Sequence, residues 1–78
     1  MSSTYDVIVS RIQDAFKPSE LEVTAISERE AKYNVRIVSS VFAGVPLLQR
    51  HRMVNALFDE ELRSGTIHAL TISAKPPS

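Results

Sequence analysis

Two histidines are the side chains of this chain best suited to bind a soft metal or to transfer a proton. His51 lies in segment 44–54, and His68 follows a glycine turn and opens the apolar run 68–70. The chain has no cysteine, so it forms neither a disulfide nor a thiolate metal site. If it binds a metal centre alone, the ligands are imidazoles and carboxylates. If it shares one, we expect the partner to supply the thiolates.

Each histidine also has a structural interpretation. On a helical wheel His51 lies between Leu47 and Val54, which favours a half-buried imidazole bonded to the chain's own backbone over a role as a supporting or alternative ligand. The residues alone make His68 more typical of a strand histidine with a satisfied hydrogen bond than of a metal ligand. The spacing of the two histidines does not resemble a closed zinc site.

Two arginines flank His51 and give the start of its helix a basic surface. We expect Arg50 and Arg52 to project to either side of the apolar stripe, where they pair with a partner's carboxylates or glutathione, contact phosphates or face solvent. Acidic residues 59–61 follow in the same predicted helix. This order is unfavourable for the helix dipole, which favours a contact role for the arginines.

The remaining sequence argues against catalysis. It contains no cysteine nucleophile, no Gly-x-Ser-x-Gly elbow and no phosphate-binding loop, and Ser39 and Ser40 are typical of strand ends. Nine acidic residues balance nine basic ones, so nucleic-acid binding would need a local basic patch. We therefore expect a protein that binds other molecules and is not an enzyme.

Hydrophobic periodicity predicts five elements in the order helix, strand, strand, helix, strand. Ser3 and Asp6 form a predicted capping box, and the first helix ends at Lys17 before Pro18. The other predicted elements are strands over 21–25 and 33–37 joined by a turn over 27–32, a loop over 39–45, a helix from Pro46 to Gly65, and a strand over 66–73.

These elements predict a small α+β domain with a three-stranded mixed sheet and both helices on one face. The strand–helix–strand connection favours a parallel pair, and the first two strands form a hairpin. We expect one domain over 1–78, with an ordered core over about 4–73 and a frayed end from Lys75. No segment is apolar enough to span a bilayer and no signal or transit peptide is recognised, which predicts the cytoplasm, with the nucleus as a further location.

Four motifs occur along these elements, namely Leu21-Glu22-Val23, Phe42-x-Gly44, Arg50-His51-Arg52 and His68-Ala69-Leu70. In this order and spacing they resemble the BolA family. The resemblance runs over about 5–73, and residues 46–56 look particularly like its cytosolic and nuclear, BolA2-like branch. It implies a fold similar to a type II KH domain, and the C-terminal helix usual in the family is expected to be absent.

The resemblance implies a heterodimer with a monothiol glutaredoxin that shares a 2Fe-2S cluster. In that family the glutaredoxin supplies a cysteine, glutathione bound to it supplies a second thiolate, and the BolA protein supplies a histidine, which matches His68. Relatives often carry a second histidine or cysteine ligand in the first hairpin loop. Here Glu28, Arg29 and Glu30 occupy that loop, so we expect different or weaker coordination. The isolated chain is expected to hold no cofactor.

The predicted function is thus an adaptor in iron–sulfur cluster trafficking, cluster assembly or iron homeostasis. His68 is the predicted cluster ligand, and Arg50, His51 and Arg52 are predicted to form the surrounding surface. No membrane partner is expected.

Nucleic-acid binding is the alternative. KH domains hold backbone phosphates with a Gly-x-x-Gly loop, but the comparable segment here has only Gly44, and Pro46 lacks a backbone donor. DNA-linked regulation in some bacterial relatives still allows a transcriptional regulator, or a stress-response or morphology factor, that uses the Arg50 and Arg52 surface.

Overall fold

Three strands form a mixed sheet with the second strand at its centre. The computed structural model describes residues 3–77. β2 is antiparallel to β1 and parallel to β3, which confirms the predicted architecture. The elements are α1 (Thr4–Phe16), β1 (Glu20–Ser27), β2 (Lys32–Val38), a 3-10 turn (Ser40–Phe42), α2 (Leu47–Leu57), α3 (Asp59–Ser64) and β3 (Ala69–Lys75).

α1 begins and ends at the predicted residues. The Ser3 hydroxyl accepts a hydrogen bond from the Asp6 N–H at 3.1 Å, and the Asp6 carboxylate accepts one from the Ser3 N–H at 3.4 Å. This confirms the capping box. Lys17 adopts a left-handed conformation with φ 45°, and Pro18 then prevents helix continuation. The buried face of α1 consists of Ile8, Ile12 and Phe16.

The predicted helix over 46–65 is in fact two helices. Phe58 leaves the helical conformation at φ −121° and ψ 20° because its ring is fully buried, whereas α3 buries no residue completely. Gly65 ends α3 with φ 85°, as predicted. Asp59 and Glu60 therefore open α3, where the helix dipole favours them, so the predicted charge inversion is wrong.

The first turn of α2 also differs from the prediction. Pro46 occupies the cap position before the helix. Leu47 and Leu48 are largely exposed, although the helical wheel placed Leu47 on the buried stripe. Val54, two turns further on, is the residue of α2 that is fully buried. The wheel failed because periodicity does not show how far along a helix the core extends.

The strands are displaced from their predicted bounds. Ser27 and Lys32 belong to strands, so the hairpin turn shrinks to 28–31, and β3 begins at Ala69 and not at residue 66. Lys75 lies within β3, so the frayed end predicted from Lys75 and the core limit near residue 73 are wrong. The reason is a bond from the Ser39 N–H to the Lys75 carbonyl at 3.0 Å, which extends the pairing of β3.

The helices cover one face of the sheet, as predicted. Burial alternates along β1, and the residues of β1 that face solvent are charged or polar apart from Ile26. The Phe16 and Phe42 rings pack 5.2 Å apart beneath the turn that leaves β2. Residues buried in the core are Ile8, Ile12, Phe16, Tyr33, Val35, Ile37, Phe42, Val54, Phe58, Ile67 and Ala74.

The ends of the strands define two ends of the molecule, whose longest dimension is 35 Å. At one, the crossover end, the Ser39 hydroxyl donates to the Phe16 carbonyl and the Ser39 N–H donates to Lys75, so α1, β2 and β3 meet there. At the other, the His68 end, the hairpin turn meets the start of β3. Within residues 3–77, no helix has both the length and the apolar character needed to cross a membrane.

Candidate functional site

His68 lies in an exposed position between the Gly65 turn and β3. Its backbone N–H donates to the Ala31 carbonyl at 2.8 Å, and the Ala69 N–H approaches the same oxygen at 3.4 Å. Ala31 adopts a left-handed conformation with φ 55°, which turns the hairpin towards β3. In the described part of the chain the His68 imidazole has no hydrogen-bond partner. The backbone is therefore fixed while the ring nitrogens remain available.

The hairpin turn brings Glu28, Arg29 and Glu30 beside His68. The turn is closed by the Glu30 N–H, which donates to the Ser27 hydroxyl at 3.2 Å. Glu30 forms an ion pair with Lys32 at 2.8 Å. The pKa of Glu30 lies below its ordinary value, chiefly because Lys32 donates to it and with a smaller contribution from the nearby His68. Carboxylates therefore occupy the neighbourhood in which relatives are expected to carry a second ligand.

This neighbourhood suits one ligand of a shared centre better than a complete metal site. Within residues 3–77, no three histidine, aspartate or glutamate side chains converge to hold a metal ion. A 2Fe-2S cluster takes four ligands in all, two of which are imidazoles in some clusters. His68 offers one such imidazole at an accessible position, so a cluster bound here would need its remaining ligands from other molecules.

Arg50 is committed to the fold and does not project freely. Its Nε donates to the Val45 carbonyl at 2.7 Å and its Nη1 donates to the Ala74 carbonyl at 3.2 Å. The guanidinium thus ties the turn before α2 to the end of β3. Ala74 lies six residues beyond His68 on an extended strand, or about 20 Å away at ~3.3 Å per residue. The structure therefore does not bring Arg50 and His68 together.

The other predicted residues of α2 occupy different environments. His51 is half-buried, as its position on the wheel predicted, but no hydrogen bond from its ring to the backbone is found in residues 3–77. Arg52 is exposed and lines a shallow groove with Asn55 and Asp59. Gly44 is exposed at φ 73° in the turn before α2, a conformation that glycine adopts without strain.

Sequence analysis missed an ion pair that fixes the helix layer. Arg11 binds Glu61 through two hydrogen bonds of 2.7 and 2.6 Å and also donates to the Leu57 carbonyl at 2.9 Å. Its guanidinium carbon lies 5.7 Å from the Phe58 ring centroid. The pKa of Glu61 is lowered chiefly because Arg11 donates to its carboxylate. The signal in the sequence was a charged residue directly beside the apolar stripe of α1.

Comparisons with known proteins agree with this architecture. The model of the family described as "BolA: BolA-like protein" matches residues 12–78. Protein BOLA2 of Arabidopsis thaliana is 40% identical over 83 residues, which cover 96% of this chain and 87% of that protein. SufE-like protein 1, chloroplastic/mitochondrial, of the same plant is 36% identical over 86 residues, which cover 91% of this chain but 23% of that protein. The match to the longer protein therefore concerns only one part of it.

Solved structures show the same fold. BolA1 from Arabidopsis thaliana superposes with a TM-score of 0.89 at 36% sequence identity, covering 99% of this chain and 95% of that one. The similarity extends over both the hairpin turn and the helix layer, since nearly the whole chain is covered. It does not separate branches of the family, so the BolA2-like assignment stays a prediction. The chain belongs to the BolA-like protein family.

Proposed function

We propose that this protein is a non-enzymatic adaptor that shares a 2Fe-2S cluster with a monothiol glutaredoxin and takes part in iron–sulfur cluster trafficking or iron homeostasis. The observation that carries the proposal is the exposed His68 imidazole, which has no hydrogen-bond partner within residues 3–77 and whose backbone N–H is held by the Ala31 carbonyl. The glutaredoxin and its bound glutathione supply thiolates that this cysteine-free chain lacks.

The chemistry of an imidazole ligand suits transfer of the cluster. Histidine in place of thiolate raises the reduction potential of such clusters, and a neutral imidazole ligand is more easily exchanged than a fourth thiolate. Glu28 and Glu30 extend the acidic character of this end, which favours a partner surface with basic groups around its cysteine. We expect the adaptor to act in the cytoplasm or the nucleus.

The test is reconstitution of the heterodimer with iron, sulfide and glutathione. Visible absorption and circular dichroism of the glutaredoxin-bound cluster should change when this protein is added, and His68→Ala should abolish that change. His51→Ala is the matched control, because it removes the second imidazole of the chain, which lies on α2. The complex with this variant should show the same spectrum as the wild-type complex. Identical spectra with and without this protein would refute cluster sharing.

The DNA-binding alternative has less support than the sequence alone suggested. It requires Arg50 and Arg52 to face phosphates together, yet Arg50 is bonded to two carbonyl groups within the fold. Arg52 alone is a small basic surface. The alternative predicts duplex DNA binding that weakens steeply as salt increases, and the absence of binding at low salt would exclude it.

A further inference from the structure

The crossover end carries aliphatic side chains that the described residues leave uncovered. Val41 is 41% exposed, Leu47 is 62% exposed and Leu48 is 65% exposed. They belong to segment 37–49, the longest stretch of the sequence without a charged residue. Phe42 in the same segment is fully buried, whereas these three side chains are exposed. Exposed apolar clusters of this kind mark interaction sites.

Basic side chains surround this uncharged segment. Lys17 directly follows Phe16, whose carbonyl is bonded to Ser39, and the Lys75 carbonyl is bonded to the Ser39 N–H. Both lysines are exposed, and exposed Arg52 lies one turn along α2 from Leu48. Cations therefore border the aliphatic side chains on three elements.

Acidic side chains are concentrated towards the opposite end. The crossover end has Asp14 near the end of α1 and Glu20 at the start of β1. By contrast, Glu28 and Glu30 lie in the hairpin turn, and residues 59–61 open α3. The chain has equal numbers of acidic and basic residues, but they are unevenly distributed. The uncharged surface bordered by basic residues lies apart from the acidic His68 end.

We propose that this crossover surface, formed by Val41, Leu47, Leu48, Lys17, Arg52 and Lys75, binds an acidic amphipathic segment of a partner protein. Apolar side chains of the segment would pack on the leucines while its carboxylates pair with the surrounding cations. Phosphate backbones gain nothing from three exposed aliphatic groups. A peptide segment can place its carboxylates beside the three cations and away from Asp14 and Glu20, whereas a bilayer that is anionic throughout cannot. The proposal is independent of the role of His68, and the separation of the two ends allows both to be occupied at once.

The test uses a fluorescein-labelled synthetic helix with leucine along one face and glutamate along the other. Fluorescence anisotropy with the full chain should show saturable binding, and the Leu47→Ser/Leu48→Ser double variant should weaken it about tenfold or more. Both leucines are exposed, so the variant keeps its fold. Ile26→Ser is the matched control, because Ile26 is 59% exposed on β1 at the other end, and it should bind as the wild type does.

Amide chemical shifts locate the contact independently. On titration with the acidic helix, shifts should concentrate in residues 40–52 and leave residues 28–31 unchanged. A helix with lysine in place of glutamate, phosphatidylserine vesicles and duplex DNA serve as competing probes. The proposal is overturned if the acidic helix does not bind, if Ile26→Ser weakens binding as much as the leucine variant, or if only vesicles or DNA bind the surface.

Discussion

The ion pair between Arg11 and Glu61 should couple α1 to the junction of α2 and α3. The two side chains are 50 positions apart and are joined by two short hydrogen bonds. A double-mutant cycle with Arg11→Ala, Glu61→Ala and the double variant isolates their interaction from the other contacts of each residue. We expect the two substitutions to be less than additive.

The expected magnitude follows from the geometry and exposure of the pair. Exposed ion pairs contribute about 0.2–1 kcal/mol, and hydrogen bonds to charged groups contribute about 1.5–3 kcal/mol. The Arg11 side chain is 40% exposed and that of Glu61 is 16% exposed, so solvent screens the pair only in part. We expect a coupling free energy of about 1–1.5 kcal/mol. Arg11→Ala also loses the bond to Leu57, so it should lower the melting temperature by roughly 10 °C.

Urea unfolding monitored by circular dichroism measures each corner of the cycle. The pKa of Glu61 is depressed in the folded state, so its stabilisation is fully present above the ordinary value of 4.5 and is lost as pH falls through the lower folded pKa. The coupling should therefore be largest at neutral pH and should decrease progressively as the pH falls below 4.5. Independent sites are additive to within about 0.3–0.5 kcal/mol. A coupling free energy no larger than this at neutral pH would refute an energetic link between Arg11 and Glu61.

Two further predictions concern Arg50, which ties the turn before α2 to β3, and Gly65, which ends α3. Arg50→Ala should cost about 1–2 kcal/mol of unfolding free energy because two carbonyl groups lose a charged donor, whereas Arg52→Ala should stay within about 0.5 kcal/mol; equal losses in denaturant titrations would contradict the assigned bonds. Gly65→Ala should cost about 1–2 kcal/mol, because φ is 85° and the added methyl meets no atom within 4 Å, so the penalty is conformational. An unchanged thermal midpoint would show that the turn relaxes freely.

Features that depend on neighbouring residues could be predicted from the sequence. The capping box of α1 needs only Ser3 and Asp6, three positions apart. The stop at Lys17 follows from Pro18, and the end of α3 follows from the conformational freedom of Gly65. The order of strands and helices followed from local periodicity, and the mixed sheet followed from the helix crossover, which typically joins parallel strands.

Features that depend on distant residues could not be predicted in this way. Periodicity treats Phe58 as one more apolar position in a continuous helix. In the structure Phe58 is fully buried and lies outside the helical conformation. The bond from Arg50 to Ala74 spans 24 positions. The position of His68 also depends on the Ala31 carbonyl group in the hairpin turn. The strand propensity of β3 does not reveal this contact. The residue type of a candidate ligand is visible in the sequence, but its surroundings are not.

The parallel pairing of β2 with β3 has a consequence for the order of folding. β1 and β2 are joined by the turn 28–31, whereas β2 and β3 are separated by residues 39–68. The length of the longer connection is almost three doublings of the length of the shorter one. This difference adds roughly 2 kcal/mol to the entropic cost of closing the loop. We therefore expect the hairpin to form early and β3 to dock late, an order that pulsed hydrogen exchange would reveal through later protection of β3 amides. Since His68 is positioned by docking of β3, a nascent or partly folded chain would not yet present the imidazole, and only completely folded molecules would be competent to accept metal.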